Sequence, residues 1–410
     1  MISFQNFKKK RKMTTYKNLL ILLVITLIPN CFYGQTANKN YVLSQQARKE
    51  GLSPNDFNDL GLSTLEITKQ VGYFDGLGRP VQKIQVGLSP KERDIITPIM
   101  YDATGRITKQ YLPFTKANGG SFDAEAIDSQ EFFYLTEAKI ANTNFAYSEA
   151  EYDNSPLNKV KEISAPGFAW SMDQGQTQTI DYKLNDGNSE VLFFTYDYTT
   201  GNCTNIGFHP TGTLKMLEHS DEDDNKTTSY SDAWNKVITN GKFDNTTASE
   251  VRTYYIYDDF GQLRYVIPPE GLKQLKAANG NYCFSRSDLV CDQLFFWYKY
   301  DEKHRIIEKK EPGKDVIYIV YDELDRPVLT QDGLQRPSNS WSFIKYDKHS
   351  RPIQTGIHIA SGSLAALQGN VNVFYSTSSA SNYEEIISNQ SQVAYTNISY
   401  PTTTAQTTVY

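Results

Sequence analysis

One short pattern constrains this chain more than any other feature: an aromatic residue, Asp, two unrestricted residues, Gly and Arg. Phe74-Asp75-Gly76-Leu77-Gly78-Arg79 recurs as Tyr101-Asp102-Ala103-Thr104-Gly105-Arg106. It returns as Tyr257-Asp258-Asp259-Phe260-Gly261-Gln262 and as Tyr300-Asp301-Glu302-Lys303-His304-Arg305. Two more copies are Tyr321-Asp322-Glu323-Leu324-Asp325-Arg326 and Tyr346-Asp347-Lys348-His349-Ser350-Arg351. A relaxed copy, Asp232-Ala233-Trp234-Asn235-Lys236, keeps the acid and the base, and Tyr152-Asp153 and Tyr196-Asp197 open irregular copies. The aspartates step by 27 residues from 75 to 102, and by 26, 43, 21 and 25 from 232 to 347. Self-similarity at such a period means stacked supersecondary units, none of which buries its apolar face alone.

The unit has a direct physical reading. An aromatic ends one strand and Asp opens a turn, its carboxylate accepting backbone N–H groups two residues on. The Gly slot supplies the positive φ of a type I turn closed by a bulge. Its substitutes are Asn235, His304, Asp325 and Ser350; all but serine are enriched at positive φ. The Arg or Lys that follows is placed to lie beside an aromatic face or to pair with the Asp. Flanking segments such as Val316–Val320 and Ile306–Lys310 read as strands. The fold class expected is therefore mainly β, a series of antiparallel β-hairpins with one or two short helices. Helices are expected within Ala124–Ile140 and over Pro268–Ala278, where prolines precede Leu272 and Leu275 on one face.

Composition agrees. The 28 Tyr, 21 Phe and 4 Trp make 13% of the residues, and mean hydropathy is −0.52. These values exclude a multi-span helical membrane protein and disfavour a long coiled coil. The N-terminus stands apart: Lys8–Lys12 is basic, Leu19–Ile28 is apolar but too short to span a bilayer, and Pro29 breaks it. This is the layout of a Sec-type signal peptide over 1–34, cleaved near Gly34. Cys31 offers a lipidation alternative, although Asn30 is a poor neighbour for that processing. Residues 1–34 hold six of the 41 basic residues and none of the 47 acids, so removing them takes the net charge from −6 to −12. Such a chain is poorly suited to nucleic acid or to an anionic membrane surface. Cys283 and Cys291 enclose a seven-residue loop that an oxidising compartment would let close as a disulfide; small apolar packing is the other reading.

No catalytic fingerprint is present. Asp221, Asp223 and Asn225 alternate like the start of a calcium loop, but Lys226 and Asp232 occupy positions needing Gly and Glu, leaving an acidic hairpin tip. No Gly-x-Ser-x-Gly, His-Glu-x-x-His, Walker or dinucleotide pattern occurs. His304 and His349 sit at turn positions, where a backbone role is expected. The Glu384-Glu385 pair is a base-rate candidate for glycoside hydrolysis and no more. Exposed Tyr and Trp on β-surfaces, with Trp297 and Trp341 as test residues, would suit sugar stacking. The repeat tyrosines themselves are expected in the core.

The repeat resembles that of the RHS, or YD-repeat, family of secreted and surface bacterial proteins, strictly over 257–355 and again over 74–110. Val71–Gln82, Ser155–Val160, Ser164–Gly167 with Trp170, and Val266–Glu270 resemble segments of the N-terminal portion of such proteins. The resemblance implies a spiral of hairpins closing into a shell, which in some members encloses a C-terminal effector and in others presents variable ends in bacterial competition. It implies a secreted or outer-surface, non-enzymatic scaffold without cofactor or metal, whose partners are an effector or a surface glycan or protein. A carbohydrate-binding or adhesin-type module is the alternative. The turn residues carrying the reading are Asp75, Gly78, Arg79, Asp102, Gly105, Arg106, Asp258, Gly261, Asp301, Arg305, Asp322, Arg326, Asp347 and Arg351. The organisation expected is a signal peptide over 1–34 and a polar leader over 35–59. An N-terminal β-rich region over 60–250, YD-repeat hairpins over 251–360 and a Ser/Thr-rich tail over 361–410 follow, with the chain either a fragment of a longer protein or a short orphan.

Overall fold

A computed structural model describes residues 4–7, 36, 38–53, 55–58, 62–140, 142–187, 190–377, 380–387, 394–402 and 407–409. Of the expected signal peptide only Phe4–Phe7 falls among these, as a strand against Val42–Gln45. The apolar run, Cys31 and Gly34 lie outside the described residues. The fold is mainly antiparallel β-sheet, as expected, and its contacts group the chain into two units. One comprises Met1–Asp181 with His219–Asp224, the other Tyr182–Glu218 with Asn225–Tyr410.

In the first unit, strands Phe4–Phe7, Asn40–Ala47, Ile67–Phe74, Pro80–Gln85, Asp94–Pro98 and Phe114–Lys116 form a sheet in that order. Asn40–Ala47 pairs along its whole length with Ile67–Phe74, so this part of the polar leader or linker expected over 35–59 is a strand of the sheet. Helix α1, Ala126–Thr136, packs on the strands at 94–98 and 114–116. Val71, Tyr73, Ile84, Ile96 and Phe114 alternate inward along their strands, the period-two pattern of a half-buried sheet. A second ladder in this unit pairs Lys109–Tyr111 with Tyr147–Tyr152, which pairs with Val160–Ser164.

In the second unit, each hairpin adds to the edge of the last. The order is Lys226–Ser231, Val237–Asp244, Ser249–Tyr257, Leu263–Ile267, Phe296–Tyr300, Ile306–Lys310, Ile317–Tyr321, Pro327–Gln331, Ser340–Tyr346 and Pro352–Ile359. The 43-residue step is explained by α2, Pro269–Asn279, and α3, Leu289–Leu294, inserted between two ladder strands. They bury Leu275, Cys291 and Phe295 with Tyr254, Tyr265 and Trp297. Gly271 is required there, because a Cβ would stand 2.5 Å from the Phe295 ring.

Within the Ser/Thr-rich tail expected over 361–410, one described segment is helical. Leu364–Tyr375 forms helix α4, capped by Ser363, whose hydroxyl accepts from the Ala366 amide. Its Leu367 and Val371 are buried with Val320, Val328, Trp341 and Phe343. Gly369, Asn370 and Asn372 weaken the helical signal in the sequence; burial of one apolar face outweighs that propensity.

Candidate functional site

The five copies that keep the arginine close in the same way. In the Asp75 turn the Asp amide donates to the Arg79 carbonyl at 2.9 Å, and the Gly78 amide donates to the Asp75 carbonyl at 3.2 Å. Asp75 Oδ1 accepts from the amides of Leu77 and Arg79, each at 2.9 Å. Asp75 Oδ2 receives Arg79 Nε at 2.8 Å. The bonds repeat in the turns of Asp102, Asp301, Asp322 and Asp347. The aromatic before each Asp lies where the hairpin register shifts by one, at Phe74, Tyr257, Tyr300, Tyr321 and Tyr346. The Arg79 and Arg106 amides are the main reason that the Asp75 and Asp102 carboxyls titrate below the ordinary carboxylate range.

All six substitutes and glycines at the fourth position beyond the first turn have positive φ too: 84° at Gly105, 63° at Asn235, 77° at Gly261, 63° at His304, 60° at Asp325 and 60° at Ser350. Serine thus takes the same conformation as glycine, although it is the poorest fit by propensity.

The reason lies between turns, in a relationship absent from the sequence pattern. Arg79, Arg106, Arg305 and Arg326 each pair with their own Asp and also lie on the tyrosine of the next copy. Arg79 is 4.3 Å from the Tyr101 ring centroid, Arg106 4.9 Å from Tyr152, Arg305 4.7 Å from Tyr321 and Arg326 4.5 Å from Tyr346. The tyrosine hydroxyl then donates back to the strand leaving the earlier turn. Tyr101 reaches the Pro80 carbonyl at 3.0 Å, Tyr152 Ile107 at 3.1 Å, Tyr300 Leu263 at 3.0 Å, Tyr321 Ile306 at 2.7 Å and Tyr346 Pro327 at 2.8 Å. The repeat tyrosines are therefore mostly half-buried ribs joining neighbouring hairpins rather than interior core residues. Burial pushes the Tyr300, Tyr321 and Tyr346 hydroxyls above the ordinary phenol value.

The same guanidinium reaches the positive-φ residue that ends the next turn, the fourth in the Asp322 and Asp347 turns and the sixth in the longer Asp153 turn. Arg106 Nη1 donates to Asn158 Oδ1 at 3.2 Å, Arg305 Nη1 to Asp325 Oδ1 at 2.8 Å, and Arg326 Nη1 to Ser350 Oγ at 3.2 Å. Where that residue is glycine, the cation sits over its Cα instead. A Cβ on Gly105 would stand 2.9 Å from Arg79 Nη1, and one on Gly261 would overlap Lys236 Nζ. That residue thus either clears the preceding cation or hydrogen-bonds it.

One departure from the motif is repaired from two residues away. Gln262 occupies the arginine slot, and Arg264 supplies the missing guanidinium from the same strand. Its Nε donates to Asp258 Oδ2 at 2.6 Å, with both side chains almost fully buried. Its guanidinium lies about 5 Å from each of the rings of Tyr196, Tyr198 and Tyr300. Sequence reasoning missed Arg264 because the pattern fixed attention on position 262.

The remaining candidates resolve as follows. Cys283 and Cys291 stand as separate thiols, so of the two readings offered for them the disulfide is not formed. Cys291 is packed in the core, and burial raises its pKa to about 12. Trp297 and Trp341 are 4% and 1% exposed, so neither offers the sugar-stacking surface that the alternative carbohydrate-binding reading needed from them. Glu384 is buried too: it pairs with buried Lys345 at 2.8 Å and accepts from Ser399, Thr396 and Ile398, a structural role. Asp221–Asp224 forms a turn, and among the described residues no cluster of three His, Cys, Asp or Glu is arranged to hold a metal.

Comparison with known proteins adds the following. A family described as a domain of unknown function, DUF6443, matches residues 51–184. No curated protein matches. Among solved structures, the chain is similar to a TcdB2-TccC3 crystal structure, with 16% identity and a TM-score of 0.47 over 81% of this chain. A TcdB2-TccC3-Cdc42 crystal structure gives 16% and 0.46 over 85%, and the Photorhabdus luminescens Tc holotoxin pore gives 16% and 0.47 over 81%. The chain spans about 15% of the length of each of these.

Proposed function

We propose that this chain is a secreted, non-catalytic β-scaffold, the N-terminal portion of an RHS-repeat protein that encloses or presents a C-terminal effector. The observation that carries the reading is the interlock between successive turns. Each hairpin brings a tyrosine for the cation behind it and an arginine for the tyrosine ahead, so hairpins add edge to edge with one repeated joint. Arg351 pairs with Asp347 but is 73% exposed, whereas Arg305 and Arg326 are 13% and 11% exposed beneath their tyrosines. A further Tyr-Asp hairpin stacked on Arg351 would cover it in the same way. The acidic charge and the N-terminal basic and apolar runs support export.

The test is limited proteolysis of the native gene product from producing cells, with fragments mapped by mass spectrometry. A C-terminal segment protected in the intact protein, and cut once Arg305→Ala and Arg326→Ala are combined, is the expected result. Equal cleavage of that segment in both proteins, or a mature protein retaining residues 1–34 in the cytoplasm, refutes the reading.

A further inference from the structure

We infer that the cleft between the Asp197, Asp258 and Asp301 turns is a binding site for a carboxylate-bearing sugar, a hexuronic acid residue. This goes beyond the scaffold reading and does not depend on it. The cleft has a volume of about 620 Å³, and Tyr198, Phe260, Arg264, Arg286 and His304 are among the residues lining it. Three observations define what it would hold.

The first is an unanswered cation. Arg286 stacks on the Trp297 ring at 4.4 Å and donates to the Tyr196 hydroxyl at 3.5 Å; burial opposes its charge, but the Tyr265 and Tyr196 hydroxyls leave its pKa raised overall. Its Nε–H is buried without an acceptor, and among the described residues no carboxylate pairs with it. Arg264 differs, since Asp258 neutralises it. A guanidinium that lines a cleft and has no carboxylate partner is suited to a planar carboxylate, which takes two parallel hydrogen bonds.

The second is exposed flat apolar surface. Phe260 is 72% exposed and Tyr198 45% exposed, with ring centroids 5.8 Å apart and nearly perpendicular planes. The Phe260 ring takes no cation of the turn ladder, and Tyr198, although Arg264 lies 5.1 Å from its ring centroid, keeps much of its surface exposed. Aromatic faces of this kind pack against the C–H face of a pyranose.

The third is a hydroxyl-directed donor whose orientation is set by a relay. Arg264 Nη2 donates to Gln262 Oε1 at 3.1 Å, which fixes the amide, so Gln262 Nε2 donates to His304 Nδ1 at 2.7 Å. The neutral His304 ring then carries its proton on Nε2, which is left to donate. His304 also lies 5.8 Å from Phe260, so the donor adjoins the stacking surface. A guanidinium, two flat rings and a ring N–H together match an acidic sugar better than a neutral sugar, which leaves Arg286 unanswered, or an aliphatic acid, which leaves the rings bare.

The experiment is ligand-detected NMR and calorimetry on the full chain with D-galacturonic and D-glucuronic acids, D-galactose, D-glucose and glutarate. The expected result is that at least one uronate binds about tenfold more tightly than its neutral counterpart and than glutarate, and that added salt weakens it. Arg286→Gln should erase the preference for the acid, and Phe260→Ala should weaken both sugars. Because Arg286 also packs on Trp297, exposed His304→Ala and Phe260→Ala decide the matter if Arg286→Gln does not fold. Uronate affinity unchanged in both, no uronate binding by the parent, or glutarate binding as tightly as the uronates overturns the inference.

Discussion

Replacing Gly105 by valine tests the turn and the joint between turns together. Gly105 has φ 84°, and its missing Cβ leaves room for Arg79 Nη1, which would otherwise be 2.9 Å away. An L-residue in the left-handed region costs about 1–2 kcal/mol, and a β-branched one lies at the upper end. Pushing Arg79 aside also disturbs its stacking on Tyr101, worth roughly 0.5–1 kcal/mol at an exposed site. The expected loss is about 2–3 kcal/mol, which for a unit of this size lowers the melting temperature by roughly 4–12 °C. Asparagine at the same position should cost under about 1 kcal/mol, because it tolerates positive φ and resembles Asn158, which accepts from Arg106 in the next turn. Thermal unfolding by circular dichroism reads both variants, and an Arg79→Ala background closes a double-mutant cycle. A valine variant melting within about 1 °C of the parent refutes the turn assignment. Equal valine costs with and without Arg79 refute the joint while leaving the turn intact.

Other consequences are equally direct. Arg264→Gln should destabilise the protein by about 3–5 kcal/mol in urea unfolding, because it strands the buried Asp258 carboxylate; restoring the motif with Gln262→Arg in that background should recover part of the loss. Glu384→Gln should cost a similar amount by leaving the Lys345 ammonium buried without its acid, with loss of the ordered segment around Ser399 visible by hydrogen exchange. Burial opposes its charge, but the Lys345 and Ser399 donors hold the Glu384 carboxyl below its ordinary value, and the turn aspartates 75 and 102 are lowered as well. Folded-state carboxyls depressed in this way add stability that is fully present above about pH 4.5 and lost as pH falls further. Acid unfolding should therefore begin below that pH, and an unfolding free energy flat from pH 6 to 3 would contradict it. A thiol reagent should leave buried Cys203 and Cys291 unreacted in the native protein and modify half-buried Cys283 first.

Much of the fold was legible because the turn chemistry is local. Asp75 to Arg79 is five residues, and every bond that closes the turn lies within them, so the pattern could be translated into a hairpin without a structure. The segments misread were those whose structure depends on distant partners. Asn40–Ala47 is polar along much of its length, and only the partner strand Ile67–Phe74 makes it a strand. Helix α4 forms over Gly369 and two asparagines because Leu367 and Val371 find an apolar sheet face to cover. Trp297 and Trp341 alternate inward, and nothing in their neighbours' identities reveals which side of a two-faced strand is covered.

The positive-φ residue that ends each turn shows where local reading stops. By propensity alone Ser350 is a poor substitute for glycine, and Asp325 and Asn158 are merely tolerated. In the structure all three point an oxygen at the guanidinium of the preceding turn. The substitution is therefore a property of two hairpins, set by the cation 20 or more residues earlier. A turn following arginine has two solutions, glycine to make room or an oxygen to accept. The Gln262–His304 contact is a third version, in which an amide and an imidazole replace guanidinium and oxygen. It follows that Ser350→Gly should be nearly neutral, since it exchanges the bond from Arg326 for relief of positive φ, whereas Ser350→Ala loses the bond and keeps the strain. Alanine should thus be the less stable of the two by about 1 kcal/mol. Equal stabilities would mean that the oxygen of Ser350 contributes nothing to the joint.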